Sequence, residues 1–308
     1  MAYKKFLHVY VLVKRRKWRS DIMEASIAVL SDIHGNYTAL EKCLEYISER
    51  NIKTLFFLGD YTGELAYPER TMQLIYELKS TYNCYFIKGN KEGYWQDYLA
   101  NGEEGWEFGN SATGSLLYTY NSLTKKDMEF FSQLGISQEV QIEDFPTLML
   151  CHGSPEKVDQ QLLPDKKETL EVMERTETNI ILCGHTHRQG KIAYQGKMIL
   201  NPGSVGMSLG CDGKTQFLLL HGRDGNWVEE FISLNYDFEK VIRDLYEVGL
   251  EQYAPYWCRI TEEVLRGSRI SHGRVIGRAM KLCEEENGVC KWPHIPAKYW
   301  ELAIEELM

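Results

Sequence analysis

The sequence predicts an α/β protein. Short apolar runs of strand type alternate with amphipathic helical segments through the first third of the chain. Further short strands then follow, and beyond residue 235 the strand signals give way to helical ones. Alternation of this kind is the pattern of a largely parallel sheet covered by helices.

Residues 26–31 read as a buried strand. Asn36 is placed to cap a helix in which Leu40, Cys43, Leu44 and Ile47 recur at helical spacing. Residues 54–58 form a second strand. Pro68 suits the first turn of a second helix, with Met72, Ile75 and Leu78 on its apolar face. Residues 84–87 give a third strand. Residues 91–114, rich in Gly, Asn and aromatics, read as a long loop, and a helix is expected over 124–134. Strand candidates follow at 138–142, 147–151, 179–183, 190–194, 197–200, 216–221 and 227–233, with a helix over 164–177. These later strands are short and turn-linked, which predicts a second, mainly antiparallel sheet.

Three segments result. Residues 1–23 look like a dispensable extension ahead of the first convincing strand, residues 24–235 form the main unit, and residues 236–308 form a helical appendage. Pro255, Gly267, Gly288 and Pro296 divide that appendage into four helices. Its large aromatics, Tyr253, Tyr256, Trp257, Trp292, Tyr299 and Trp300, are expected to pack it onto the core; the alternative is that they cover a site or build an interface between copies.

At 308 residues, with 44% hydrophobic and 26% charged residues, the composition is that of a globular protein. The net charge of −9 argues against a stable complex with nucleic acid, which needs basic surface. The apolar run over residues 6–13 is too short to span a membrane, and basic residues follow it without a small-residue cleavage site. Eight cysteines without a Cys-x-x-Cys pair, several in apolar runs, suit buried free thiols in a reducing cytoplasm.

Five apolar runs end directly in residues that ligate metals. SIAVLSDIHGN ends in Asp32 and His34, TLFFLGD in Asp60, CYFIKGN in Asn90, TLMLCHG in His152, and NIILCGHTH in His185 and His187. Ligands in α/β folds bind beyond the carboxyl ends of strands, and residues two apart on an extended chain face the same way. Any one of these pieces alone is an ordinary turn or a structural histidine. Five in series are not. The donors are nitrogen and oxygen without thiolate, which suits manganese, iron, zinc or nickel. Seven donors are too many for one ion and fit two divalent metals bridged by Asp60, the arrangement that clamps the oxygens of a phosphoryl displacement. His8, His221, His272 and His294 fit no motif and read as structural or surface residues.

The ordered set Asp-x-His, Gly-Asp, Gly-Asn, lone His and Gly-His-x-His resembles the signature of the calcineurin-like metallophosphoesterase superfamily, over about residues 25–235. Asp-Ile-His-Gly-Asn and the turn Asn201-Pro202-Gly203-Ser204 are similar to its compact bacterial and archaeal phosphodiesterase branch. The resemblance implies a four-layer sandwich, two packed mixed β-sheets flanked by helices. It implies a first metal, most simply manganese, on Asp32, His34, Asp60 and His187, and a second on Asp60, Asn90, His152 and His185. It also implies hydrolysis of phosphodiesters or phosphomonoesters of a small phosphorylated or nucleotide substrate by a metal-bridging hydroxide. Asn90, Lys91, Glu92 and His152 are then the candidate catalytic residues.

One position departs from that signature. Lys91 stands where the family has a catalytic histidine after Gly-Asn. A protonated lysine there either steadies the transferring phosphoryl group as a point charge or points to solvent. The altered Gly-Asn motif with a helical tail also resembles members described as asymmetric dinucleoside tetraphosphate hydrolases, for which Tyr94, Trp95, Tyr98 and Trp106 could stack a base. A third reading is a protein-binding scaffold, as in a vesicle-coat subunit of the same superfamily; retention of all seven ligands weighs against it.

Overall fold

The computed structural model describes residues 25–308. The expected extension over 1–23 and His8 lie outside the described residues.

Strands β1 (Ser26–Leu30), β2 (Thr54–Phe57) and β3 (Asn83–Phe86) run parallel, linked by helices α1 (Tyr37–Glu49) and α2 (Pro68–Thr81). The side chain of Asn36 caps α1 by accepting from the Ala39 N–H at 3.0 Å. Helices α3 (Asn90–Ala100), α4 (Gly114–Ser122) and α5 (Lys125–Ser132) follow. The second sheet is built from β4 (Ser137–Val140), β5 (Leu148–Cys151), β6 (Ile180–Leu182), β7 (Gly190–Tyr194) and β8 (Lys197–Asn201), with α6 (Lys167–Arg175) between β5 and β6. The chain then returns to the first sheet through β9 (Thr215–Arg223) and β10 (Asn226–Leu234).

Each sheet has five strands, in the orders β10-β9-β1-β2-β3 and β4-β5-β6-β8-β7. Both are mixed. The expected second sheet, mainly antiparallel, is instead parallel through β5, β6 and β8, and antiparallel only at its edges. Helix α6 accounts for this, because a crossover through a helix brings β6 back parallel to β5.

Alternation along β1 sets the layers. Ala28 and Leu30 pack with Leu40, Cys43 and Ile47 of α1. Ile27 and Val29 face the other way, into a core shared with Leu148, Leu150 and Leu182 of the second sheet. The far side of that sheet packs Ile181 and Ile199 on Val172 and Met173 of α6. The stack is helix, sheet, sheet, helix.

Two expectations need correction. The stretch 91–114 is not all loop, since α3 occupies its first part. Trp95 and Tyr98 are buried at helical spacing, but the other two buried positions are the polar Asn90 and the charged Glu92, which break the apolar pattern. The tail has five helices, not four: α7 (Phe238–Glu247), α8 (Leu250–Tyr253), α9 (Pro255–Leu265), α10 (His272–Asn287) and α11 (Ala297–Leu307). Helix α8 is a single turn, too short to show a period. Tyr299 and Trp300 are buried in a tail core that also takes in Leu65, Ala112 and Met207, so the tail packs on the rest of the molecule. Trp292 is exposed. Among the described residues no helix is long and apolar enough to cross a membrane.

Candidate metal centre

Asp32 and His34 follow β1, Asp60 follows β2, Asn90 follows β3, His152 follows β5, and His185 and His187 follow β6. All seven therefore sit at carboxyl ends of parallel strands, drawn from both sheets. Backbone bonds tie the loops to one another. The Asp32 N–H donates to Gly59 O at 3.1 Å, the His34 N–H to Asp60 O at 3.0 Å, and the Gly184 N–H to His152 O at 2.8 Å. There is no room beside Gly184, where a Cβ would lie 1.9 Å from Ser31 Oγ and 2.6 Å from Asp32 Oδ2.

Five of the seven hold left-handed backbone: Asp32 (φ 54°), His34 (52°), Asp60 (53°), His185 (65°) and His187 (55°). Non-glycine residues rarely adopt this region, and clusters of such strain mark functional sites.

Three imidazoles are fixed by their Nδ1 atoms. Nδ1 of His152 donates to Leu58 O and that of His187 to Met207 O, both at 2.7 Å. His34 Nδ1 donates to Glu64 Oε2 at 2.9 Å. With Nδ1 carrying the proton, each Nε2 presents a lone pair. These lone pairs converge on other acceptors. His34 Nε2 and His187 Nε2 are 3.1 Å apart, and His187 Nε2 is 3.2 Å from Asp32 Oδ1. Asp60 Oδ2 lies 3.5 Å from His152 Nε2 and 3.6 Å from His34 Nε2. Asn90 Oδ1 is 3.0 Å from His152 Nε2. Asp32 Oδ1 is buried without a hydrogen-bond partner. Acceptors gathered on acceptors repel unless a cation lies among them, so the donor set fits divalent metal. Asp32, His34 and His187 form one group that could hold an ion, and Asp32, Asp60 and His152 another. His185 stands beside these, its ring 5.1 Å from that of His152 and its N–H donating to Asp32 Oδ2 at 3.0 Å.

Burial alone would raise the Asp32 carboxyl, but when the metal-free site takes up protons on His187, His152 and His34 their positive charge outweighs burial and holds the group below its usual range. Glu92 accepts three backbone N–H groups, from Asp60 at 3.0 Å, Tyr61 at 3.0 Å and Gly89 at 2.8 Å. It braces the loops after β2 and β3. Its burial and the Asp60 charge push its pKa up to about 7, against the pull of those donors.

Lys91 does not point to solvent. Its side chain is 11% exposed and its ammonium is ion-paired with Glu64. Burial would lower its pKa, but Glu64 and Asp60 raise it, so the lysine is charged. Glu64 thus joins His34 to Lys91. Nothing in the sequence marks Glu64, which lies in no motif and meets both partners only through the fold.

A cavity of about 460 Å³ opens over His34, Asp60, Asn90, His185 and His187, with Lys91 on its wall. Part of the lining comes from the tail, with Trp257 and Val264 of α9 and the start of α10. Trp257 therefore serves the site as well as the packing. His272, read as structural or surface from the sequence, lines this cavity. Its ring stacks on Trp257 at 4.1 Å, and its Nε2 bonds Thr261 Oγ1 at 2.9 Å. Burial lowers its pKa to about 3, so it is neutral. The aromatics of 91–114 are not gathered at the cavity. Trp95 is fully buried, and Tyr98 stacks on Trp106 at 3.8 Å.

Comparison with known proteins agrees with this geometry. An uncharacterized protein of Methanocaldococcus jannaschii is 27% identical over 254 residues, covering 77% of this chain and 96% of its own length. The crystal structure of a hypothetical protein from Pyrococcus horikoshii superposes with a TM-score of 0.66 at 22% identity, over 79% of this chain and 98% of that one. A metallophosphoesterase from Sphaerobacter thermophilus gives a TM-score of 0.60 at 19% identity, over 77% and 99%. Both likenesses are of fold. Residues 25–225 match the calcineurin-like phosphoesterase superfamily domain, and the chain belongs to that superfamily.

Proposed function

We propose that the protein hydrolyses small phosphate esters with the help of two divalent cations, manganese being the first to test. The observation that carries this is the convergence of acceptor atoms, with His34 Nε2, His187 Nε2 and Asp32 Oδ1 mutually close and no proton donor between them. Asp32, His34, Asp60 and His187 would hold one ion, and Asp60, Asn90, His152 and His185 the other. Bound there, the ions would supply Lewis acidity, drawing charge from the phosphoryl oxygens and lowering the pKa of a water.

The protein's own groups do the rest. The Leu58 and Met207 carbonyls and Glu64 keep each Nε2 directed inward. Ser31 Oγ donates to Asp32 Oδ2 at 2.6 Å and, with the His185 N–H, orients that carboxylate so that Oδ1 faces the histidines. Lys91 holds a fixed positive charge on the cavity wall, where it can meet a phosphoryl oxygen. The walls supplied by α9 and α10 leave space for a small ester and little for a folded macromolecule.

The experiment is manganese-dependent turnover of an aryl phosphodiester, an aryl phosphomonoester and a dinucleoside tetraphosphate, with Asp60→Asn alongside. Turnover that needs added metal and is lost in the variant supports the reading, and the preferred compound selects diesterase, monoesterase or dinucleoside polyphosphate hydrolase. A protein that binds no metal would instead be a scaffold.

A further inference from the structure

We infer that Arg188 and the start of α10, which line one cavity, form a second anion subsite, so that the substrate is a small phosphate ester carrying a further phosphate or similarly charged group. This deepens the proposed function and depends on it only for where the ester to be cleaved would sit.

Arg188 and Arg274 come from different parts of the chain, one just after His187 and the other in the first turn of α10, and both line the cavity. Among the described residues neither has an acidic partner. Arg274 donates only to the Arg269 carbonyl, at 3.3 Å, and no partner of Arg188 is found among the described residues. Two guanidinium groups without carboxylate partners thus line one cavity. Such groups suit phosphate, which they can meet with two parallel hydrogen bonds.

The backbone adds to this. The 16-residue helix α10 begins at the cavity, with Ser271, His272, Gly273 and Arg274 all on the lining. Its first turn contains no acidic residue and its N-cap makes no side-chain bond. The first N–H groups of the helix are therefore open to an anion, and the helix dipole favours one there. Trp257 beside them also lines the cavity. Guanidinium and backbone donors thus line the same cavity as the metal-ligand cluster. A substrate with one charge centre would use one end of the cavity. A substrate with two would use both.

Fructose 1,6-bisphosphate and fructose 6-phosphate are suitable probes, alike but for one phosphate. Each would be titrated calorimetrically into the full chain with manganese present. The bisphosphate is expected to bind at least about tenfold more tightly, and the difference should shrink as salt is raised. Arg188→Ala with Arg274→Ala should remove that difference, and lysine at both positions should restore part of it. Equal binding of the two sugars, binding of neither, or a difference that survives in the double alanine variant would each overturn the subsite. Because the titration reads binding, it separates the two proposals. A retained difference without any ester turnover would leave the subsite standing and remove the hydrolase.

Discussion

Glu64 and His34 are joined by a 2.9 Å hydrogen bond from the imidazole Nδ1 to the carboxylate, although thirty positions separate them in the chain. That bond fixes the tautomer and the direction of Nε2. Glu64→Gln, which keeps the shape but loses the charge, should weaken manganese binding about 10- to 100-fold. Calorimetric titration of the metal-free protein measures this directly. Unchanged affinity would reduce Glu64 to a packing residue.

The same carboxylate holds Lys91. Lys91→Ala leaves Glu64, only 3% exposed, without its cation, and should cost about 3–5 kcal/mol in urea unfolding. Lys91→Met combined with Glu64→Gln removes both charges and should recover most of that loss. Turnover should stay low in both variants, because the charge on the cavity wall is gone.

The pair also sets a pH window. Burial works against both charges, but Lys91 and His34 pull Glu64 below its ordinary 4.5, and Glu64 and Asp60 raise Lys91 above 10.5. A lowered acid contributes stability above its unfolded value and loses it as pH falls through the folded one. A raised base contributes below its unfolded value and loses it as pH rises through the folded one. The stability gap between the metal-free wild type and the uncharged double variant should therefore be flat between pH 4.5 and 10.5 and shrink on either side. Unfolding curves across pH, with a gap that changes near neutrality, would contradict the pairing.

Gly184→Ala is a steric test of the centre. The new methyl would press on Ser31 Oγ and Asp32 Oδ2, both side chains that shape the site. We expect metal affinity to fall at least about tenfold while the circular dichroism spectrum is preserved. Normal affinity would mean that the loop after β6 can retreat without disturbing Asp32.

Burial pushes the thiols of Cys43, Cys183 and Cys258 up to about 12. At pH 8 they should resist iodoacetamide in the folded protein and react once it is unfolded, as read by mass spectrometry. Rapid native labelling of Cys43 would show that α1 does not seal the first sheet.

The ligand loops are legible because five apolar runs in series each end in a residue that can ligate a metal, a repetition that ordinary turns do not give. Asp32 and His34 are marked by their place in that series. Glu64 does not, since its two partners lie at positions 34 and 91 and only folding brings them together. His272 and Trp257 were equally hidden, because a histidine and a tryptophan in a helical tail look like packing until the tail is seen against the cavity. The direction of β6 was misjudged for a related reason. A three-residue strand carries no signal for its neighbour, and the helix before it was the better guide.

Five of the seven ligand positions use backbone that glycine or asparagine would occupy with less strain. Glycine or asparagine at Asp32, His34, Asp60, His185 or His187 would therefore relieve backbone strain while discarding the side chain that binds metal. A library selected for thermal stability alone should lose these side chains early, leaving a sturdier and inert shell. Recovering them would take selection for chemistry, so in this protein robustness and reactivity are drawn from opposite ends of the same set of residues.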